Sequence, residues 1–237
     1  MGTKEEILNL DMADLSMLQL SDSFFPTGMY SMSNGLEAIF YSGKKMKAEE
    51  LRDLISTLLR YQIGPADCAA LGNAYEYAAN SNVQGVVEVD RAIFSMKLVQ
   101  EIRDASIRSG TQLLRCIRSF SHDKVLCQYE ESIRIGQAFG PYPVALAVVG
   151  NAFLIPKEKT ALIMLYSFSV SIVGAALRLG MLQHFHGQKV IDDLKPIILR
   201  VIKENINRPL ESIWQFAPSM DIIQISHERM NSKMFIT

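Results

Sequence analysis

The sequence predicts an all-α fold, a single helical domain over residues 1–237 with about nine to eleven helices. Three observations predict it. Apolar residues recur at three- and four-residue intervals along almost the whole chain, the spacing of one helix face. No segment shows sustained two-residue alternation between turn signals, so strands are not expected. No linker, low-complexity tract or internal repeat divides the chain.

Taken in order, residues 18–37 read as a helix end, a turn through Pro26 and Gly28, and a new helix with Ser33 or Asn34 capping near its start. From Ala48 to Tyr61, Leu51, Leu54, Ile55, Leu58 and Leu59 form an amphipathic stripe. Pro65 is placed to open the next helix, because a first-turn residue needs no N–H partner. Residues 66–79 are alanine-rich helix ending at Asn80-Ser81-Asn82, and 83–96 form another, weakened by Gly85 and its valines. The clearest helix runs from Leu98 to Phe120, with Ile102, Ala105, Ser109 and Leu113 on one face and Glu101, Asp104, Arg108 and Gln112 on the other. It ends around residues 121–124.

Gly140-Pro141-Tyr142-Pro143 is a turn, since proline fixes φ and disfavours helix in the residue before it. Two apolar helices follow, near 144–154 and 157–179, and Gly180 is placed to stop the second in a left-handed conformation. Ser167, Ser171 and Ala175 lie at four-residue steps on it, a small-residue seam suited to a close neighbour. Residues 187–204 give a further helix bent at Pro196, and Pro209 is placed to open a short one ending near Phe216.

With 24 basic and 25 acidic residues the formal net charge is -1, so the basic excess of a nucleic-acid-binding domain is missing. Cys68, Cys116 and Cys127 are scattered and form no disulfide framework, which favours a reducing cytoplasm. Residues 1–10 lack the pattern of a signal peptide and are expected to be mobile. The uncharged stretch from Ala161 to Leu177 would reach roughly 25 Å as a helix, short of a ~30 Å hydrocarbon core, and we read it as a buried central helix.

No phosphate-binding glycine loop, dinucleotide fingerprint or nucleophile elbow is present, and no enzyme is predicted. The four histidines are His122, His184, His186 and His227. His184 and His186 are the sharpest local metal candidate: two imidazoles two residues apart can chelate a nickel-class ion if the segment is extended. The competing reading is a polar loop after a helix. Cys116 and Cys127 read as packing residues.

Three segments exceed generic helical packing. The first is 18–37, where Phe24 and Phe25 precede Pro26 and Tyr30 follows Gly28; such aromatics serve as interface anchors or as core closure. The second comprises Gly140 to Ala145 and Ala175 to Gly180, in which Arg178 either suits the helix dipole or bridges to another chain. The third is the tail, 217–237, whose mixture of Ile, Met, Phe and paired charges fits a segment that orders on a partner, or one packed on its own domain.

Together these segments resemble the urease accessory protein family UreF. Its N-terminal pattern is matched at Leu18, Gln19, Leu20, Ser21, Pro26, Gly28, Tyr30, Ser33, Gly35, Leu36 and Glu37. Its mid-chain pattern is matched at Tyr142 to Ala145, Ala175 to Gly180, and Gly187-Gln188. The tail pattern is matched at Phe216, Pro218, Asp221, Ile222, His227, Glu228, Ser232 and Phe235. The resemblance implies a cytoplasmic, non-catalytic urease maturation factor that dimerises, binds the accessory protein UreD (UreH in some organisms) and recruits the GTPase UreG for nickel insertion into apo-urease. It implies no cofactor of its own, no nucleic-acid partner and no membrane. Partner-binding residues expected on this basis are Pro26, Gly28, Tyr30, Ser33, Gly35, Glu37, Arg178, His227, Glu228, Lys233 and Phe235. A nickel-binding metallochaperone using His184 and His186 is the alternative. Lys233 departs from the family's arginine, and the loop Met181 to Gln188 departs from the family's usual sequence.

Overall fold

The computed structural model describes residues 11–44 and 46–237; the expected mobile N-terminus, 1–10, lies outside them. Among the described residues the chain is helical without strands. The α-helices are α1 (Met12–Ser21), α2 (Leu36–Tyr41), α3 (Ala48–Leu58), α4 (Ala69–Ala79), α5 (Val83–Met96), α6 (Gln100–Arg118), α7 (Lys124–Arg134), α8 (Tyr142–Ala152), α9 (Lys157–Arg178), α10 (His184–Asn205) and α11 (Pro218–Glu228). Short polar residues set several starts: Asp11 accepts from Asp14 N–H, Asn82 from Gly85 N–H and Asp123 from Leu126 N–H, each filling a first-turn donor the helix cannot satisfy itself.

The core is built around α8, in which every residue from Tyr142 to Gly150 is buried. Helices α4 and α6 flank it, α9 packs beside it, and α10 and α1 cover α9. Helix α9 is long and apolar enough by length and composition to cross a membrane, but its apolar window is 67% buried among the other helices. Gly180 has φ 71° and ends α9 as expected.

Tyr142 and Pro143, expected in a turn, form the first turn of α8, and the segment leading into it through Gly140 and Pro141 is fastened from beneath by Asp90 of α5, which is fully buried. Its carboxylate accepts the Tyr129 hydroxyl at 2.6 Å, Phe139 N–H at 2.8 Å and Gly140 N–H at 2.9 Å. Burial pushes the Asp90 pKa up, against the pull of these three donors. One carboxylate thus joins α5, α7 and the entry to α8.

Two proline expectations are corrected. Pro65 does not open a new helix: α3 runs through a π-helical stretch, Leu59–Cys68, into α4 without a break. Proline has no N–H for the Tyr61 carbonyl four residues earlier, and that carbonyl instead accepts Phe216 N–H at 2.8 Å. Ala69 N–H reaches back to Gly64, so the Pro65 carbonyl is free to accept Trp214 N–H at 3.2 Å. Residues 213–217 are therefore extended along the π stretch. Pro209 precedes only a 3-10 turn, Leu210–Ser212, where a helix reaching Phe216 was expected.

Asp90→Ala is expected to lower the unfolding free energy by about 3 kcal/mol, because the Tyr129 hydroxyl and two backbone N–H groups lose their acceptor while buried. Urea denaturation of the two proteins measures it; an unchanged midpoint would show that Asp90 does not hold the turn.

Candidate functional site

Two segments far apart in sequence, the 24–37 loop and the tail, meet around three buried or half-buried charged groups. Glu37, in the first turn of α2, is fully buried. Its Oε1 accepts Met234 N–H at 2.7 Å, and its Oε2 accepts Phe235 N–H at 3.1 Å. The same Oε2 lies 2.9 Å from Nε2 of His227, which is fully buried near the end of α11. On the other side of the ring, Nδ1 lies 2.6 Å from Oε2 of Glu101 in α6. Carboxylate oxygens only accept, so both ring nitrogens are satisfied when both carry protons, as in the imidazolium form.

Lys233 completes the cluster, donating to Glu101 Oε1 at 2.8 Å and to the Glu228 carbonyl at 3.2 Å. The Glu228 side chain accepts Glu101 N–H at 2.7 Å, in the first turn of α6, where negative charge suits the helix dipole. For Glu37, desolvation raises the pKa. The His227 hydrogen bond and the two backbone N–H groups outweigh it and hold the carboxyl below its ordinary value of 4.5.

The outer edge is pinned by Arg178 at the end of α9. Its guanidinium stacks 3.8 Å from the centroid of the Tyr30 ring and 4.3 Å from that of Phe235, and it donates to the Tyr30 carbonyl. Partial desolvation lowers the Arg178 pKa. Backbone bonds close the seam: Ile236 N–H to the Ser31 carbonyl at 2.8 Å, and Ser33 N–H to the Thr237 carbonyl at 2.9 Å. Segment 217–237, which the sequence read either as ordering on a partner or as packing on its own domain, lies here against its own chain, with Phe235 at 3% exposure.

Of the residues expected at a partner surface, Tyr30, Ser33, Gly35, Glu37, Arg178, His227, Glu228, Lys233 and Phe235 come together. Ser33 Oγ accepts Glu37 N–H at 3.3 Å, close to its expected capping role. Gly35 has φ 90°, and a Cβ there would sit 3.1 Å from both Gln224 and Ile223, so it serves conformation and the approach of α11 at once. Gly28, with φ 78°, turns the loop outward, and Pro26 is exposed at its tip; neither joins the hydrogen-bonded cluster. The two aromatics before Pro26 divide: Phe25 is 9% exposed and closes the core, whereas Phe24 is 92% exposed.

Glu101 was missed by sequence reasoning. It reads as one acid on the polar face of α6, and only the fold brings it to His227. Ser167, Ser171 and Gly174 line a cleft of about 460 Å³ beneath the 20–30 loop.

His184 and His186 are corrected too. They lie in the first turn of α10, not in an extended loop, and both are exposed. Residues two apart on a helix point to different sides, so the rings do not converge on one ion. Among the described residues no group of three or more His, Cys, Asp or Glu is placed to hold a metal. Cys116 and Cys127 are half-buried, and burial pushes the Cys68 thiol up to about 12.

Among the described residues the protein is all-helical, with a polar cluster that ties a loop to a tail and aromatic side chains left outside it. Comparison with known proteins specifies the class. The UreF family profile matches residues 46–195. The chain is 31% identical over 230 residues to the urease accessory protein UreF of Trichodesmium erythraeum (strain IMS101), covering 97% of this chain and 99% of that protein. It is 26% identical to UreF of Bacillus sp. (strain TB-90), covering 94% and 98%, and 29% identical to UreF 1 of Brucella melitensis biotype 1, covering 94% and 92%. The chain belongs to the UreF family of urease accessory proteins.

Glu37→Gln is expected to destabilise the protein by about 2–3 kcal/mol at neutral pH, since both oxygens face donors and an amide nitrogen must meet one of them. The contribution of a carboxyl with a lowered folded pKa is fully present above its unfolded value and is lost as pH falls through the folded one. The stability gap between wild type and variant should therefore be constant just above pH 4.5 and close below it. Urea titrations across that range measure the gap; one that widens on acidification contradicts the assignment.

Proposed function

We propose that this protein is a non-catalytic scaffold of urease maturation, acting in the cytoplasm as a homodimer. It would bind UreD/UreH and recruit the GTPase UreG for nickel insertion into apo-urease. The loop and the tail are its docking face. The observation that carries this reading is the joint fixing of the two segments. Arg178 and the Glu37–His227–Glu101 cluster hold Tyr30, at 60% exposure, and Met234, also at 60%, on one rigid base, with Phe24 projecting nearby. Exposed aromatics on a preorganised base offer large contact area at small entropic cost, the usual character of interface anchors. The cleft under the 20–30 loop gives a partner's apolar side chain somewhere to enter.

Co-expression with the cognate UreD/UreH and UreG, followed by size-exclusion chromatography, tests the reading. The wild type is expected to elute with its partners. Phe24→Ala, 92% exposed and outside the buried cluster, is expected to weaken the complex tenfold or more, equivalent to about 1.4 kcal/mol or more, while leaving the melting temperature within a few degrees. Failure of the folded wild type to form any complex with folded partners overturns the proposal.

The metallochaperone reading gains nothing from the helical placement of His184 and His186. Calorimetric titration with nickel should give the same isotherm for wild type and for the double variant His184→Ala/His186→Ala. A loss of binding in the variant would restore that reading.

A further inference from the structure

The cations of this chain are unevenly paired over its surface. Among the described residues, ten lysines and arginines are ion-paired with a carboxylate, as Arg118 is with Glu130 and Arg134 with Glu131. Arg91 of α5 and Arg103, Arg108 and Arg115 of α6 pair with none of the described carboxylates. Arg91, Arg108 and Arg115 are exposed, and Arg103 is half-buried. The exposed acids of these two helices are Glu88 and Asp104. Four cations against two acids leave a local excess of two positive charges, on a chain whose formal net charge is -1.

These arginines border an apolar centre. At 3.6 residues per turn, positions 104, 108 and 115 of α6 fall within about 40° of one another, a single outward stripe. The segment 135–139 runs into Gly140, which lies against α6: a Cβ there would sit 2.9 Å from the Thr111 side chain. Phe139, 38% exposed, stacks on Phe94 of α5 with 3.6 Å between ring centroids. Arg103 lies over the Phe94 ring, 5.2 Å from its centroid, and donates to the Lys97 carbonyl at 3.2 Å. Arg91 donates to the Gln137 carbonyl at 2.8 Å, on the other side of the segment. Ile135, 51% exposed, stands at its near end.

One unpaired surface arginine is ordinary. The composition of this face is what separates it from a solvated one: α5, α6 and 135–139 contain no lysine, and the cations present are all arginine. Arginine and aromatic residues are enriched in protein interfaces and lysine is depleted there, because the planar fork grips a carboxylate with both of its ends. A net charge of -1 disfavours an extended polyanion, so a local acidic patch on a protein fits better than nucleic acid. We propose that this face is a second docking surface, for a folded protein that presents acidic side chains around an apolar residue. The proposal rests on the scaffold reading, since a scaffold that joins two proteins needs a face besides the loop and the tail.

Nuclease-treated UreD/UreH, UreG and apo-urease, each titrated against the full chain at roughly 50 mM and 300 mM salt, test it. One of the three is expected to bind more weakly at the higher salt. Arg108→Glu/Arg115→Glu is expected to weaken that partner tenfold or more at the lower salt and to remove most of the salt dependence. Arg108→Gln/Arg115→Gln, which reverses no charge, should act in the same direction by less, and it decides the matter if the glutamate variant fails to fold. Phe24→Ala, on the other face, should leave that partner's affinity within about twofold. Unchanged affinity of all three partners for the folded arginine variants overturns the second face and leaves the scaffold reading standing. Failure of all three to bind the wild type overturns both. Binding that disappears on nuclease treatment assigns the face to nucleic acid and overturns the proposal.

Discussion

Glu37 is a carboxylate placed where water does not reach, and the loop–tail assembly depends on how it is satisfied. Three groups contribute: the Met234 N–H, the Phe235 N–H and the His227 ring. Each comes from a segment that must already be in place for the others to fit. A buried pair of this kind is weak evidence for stability in itself, since desolvation consumes much of the attraction. What it supplies is selectivity. The arrangement of α2, α6, α11 and the tail gives each of these buried groups a partner, so packings of the same apolar surfaces that separate them are penalised.

The outer contact of Arg178 follows from that arrangement. With Phe235 fixed by its backbone bond to Glu37, its ring forms one wall for the guanidinium, and Tyr30 forms the other. The sequence offered helix-dipole placement or a bridge to another chain for Arg178. The side chain instead bridges two segments of its own chain. Its position at the last turn of α9 still suits the dipole, so the two roles are compatible.

Legibility in the sequence followed the range of the interactions. Helices fixed by local spacing, such as α5, α6 and α9, were readable because that signal lies within a few residues. Pro65 was misread because its consequence is long-range: the missing N–H is answered by Phe216, about 150 residues away, and without that partner a new helix is the reasonable inference. Glu101 failed for the same reason. Nothing near it in sequence distinguishes it from the other acids of α6, whereas Glu37, His227 and Lys233 were found through motif resemblance. Glycines were intermediate: a left-handed stop at Gly180 was readable locally, but the contact of Gly35 with α11 was not.

Lys233, where the family pattern has arginine, has a physical rationale in the geometry of Glu101. An arginine fork is best matched to a carboxylate with both oxygens free. Here Oε2 of Glu101 faces His227 at 2.6 Å, and Oε1 faces the tail through Lys233 at 2.8 Å. A point charge with rotatable donors suits that single oxygen, and its other contact, the Glu228 carbonyl, also calls for one N–H. The ammonium makes two separate single bonds, one to Glu101 Oε1 and one to the Glu228 carbonyl. The substitution keeps the tail's charge while fitting it to a carboxylate already shared with the buried histidine.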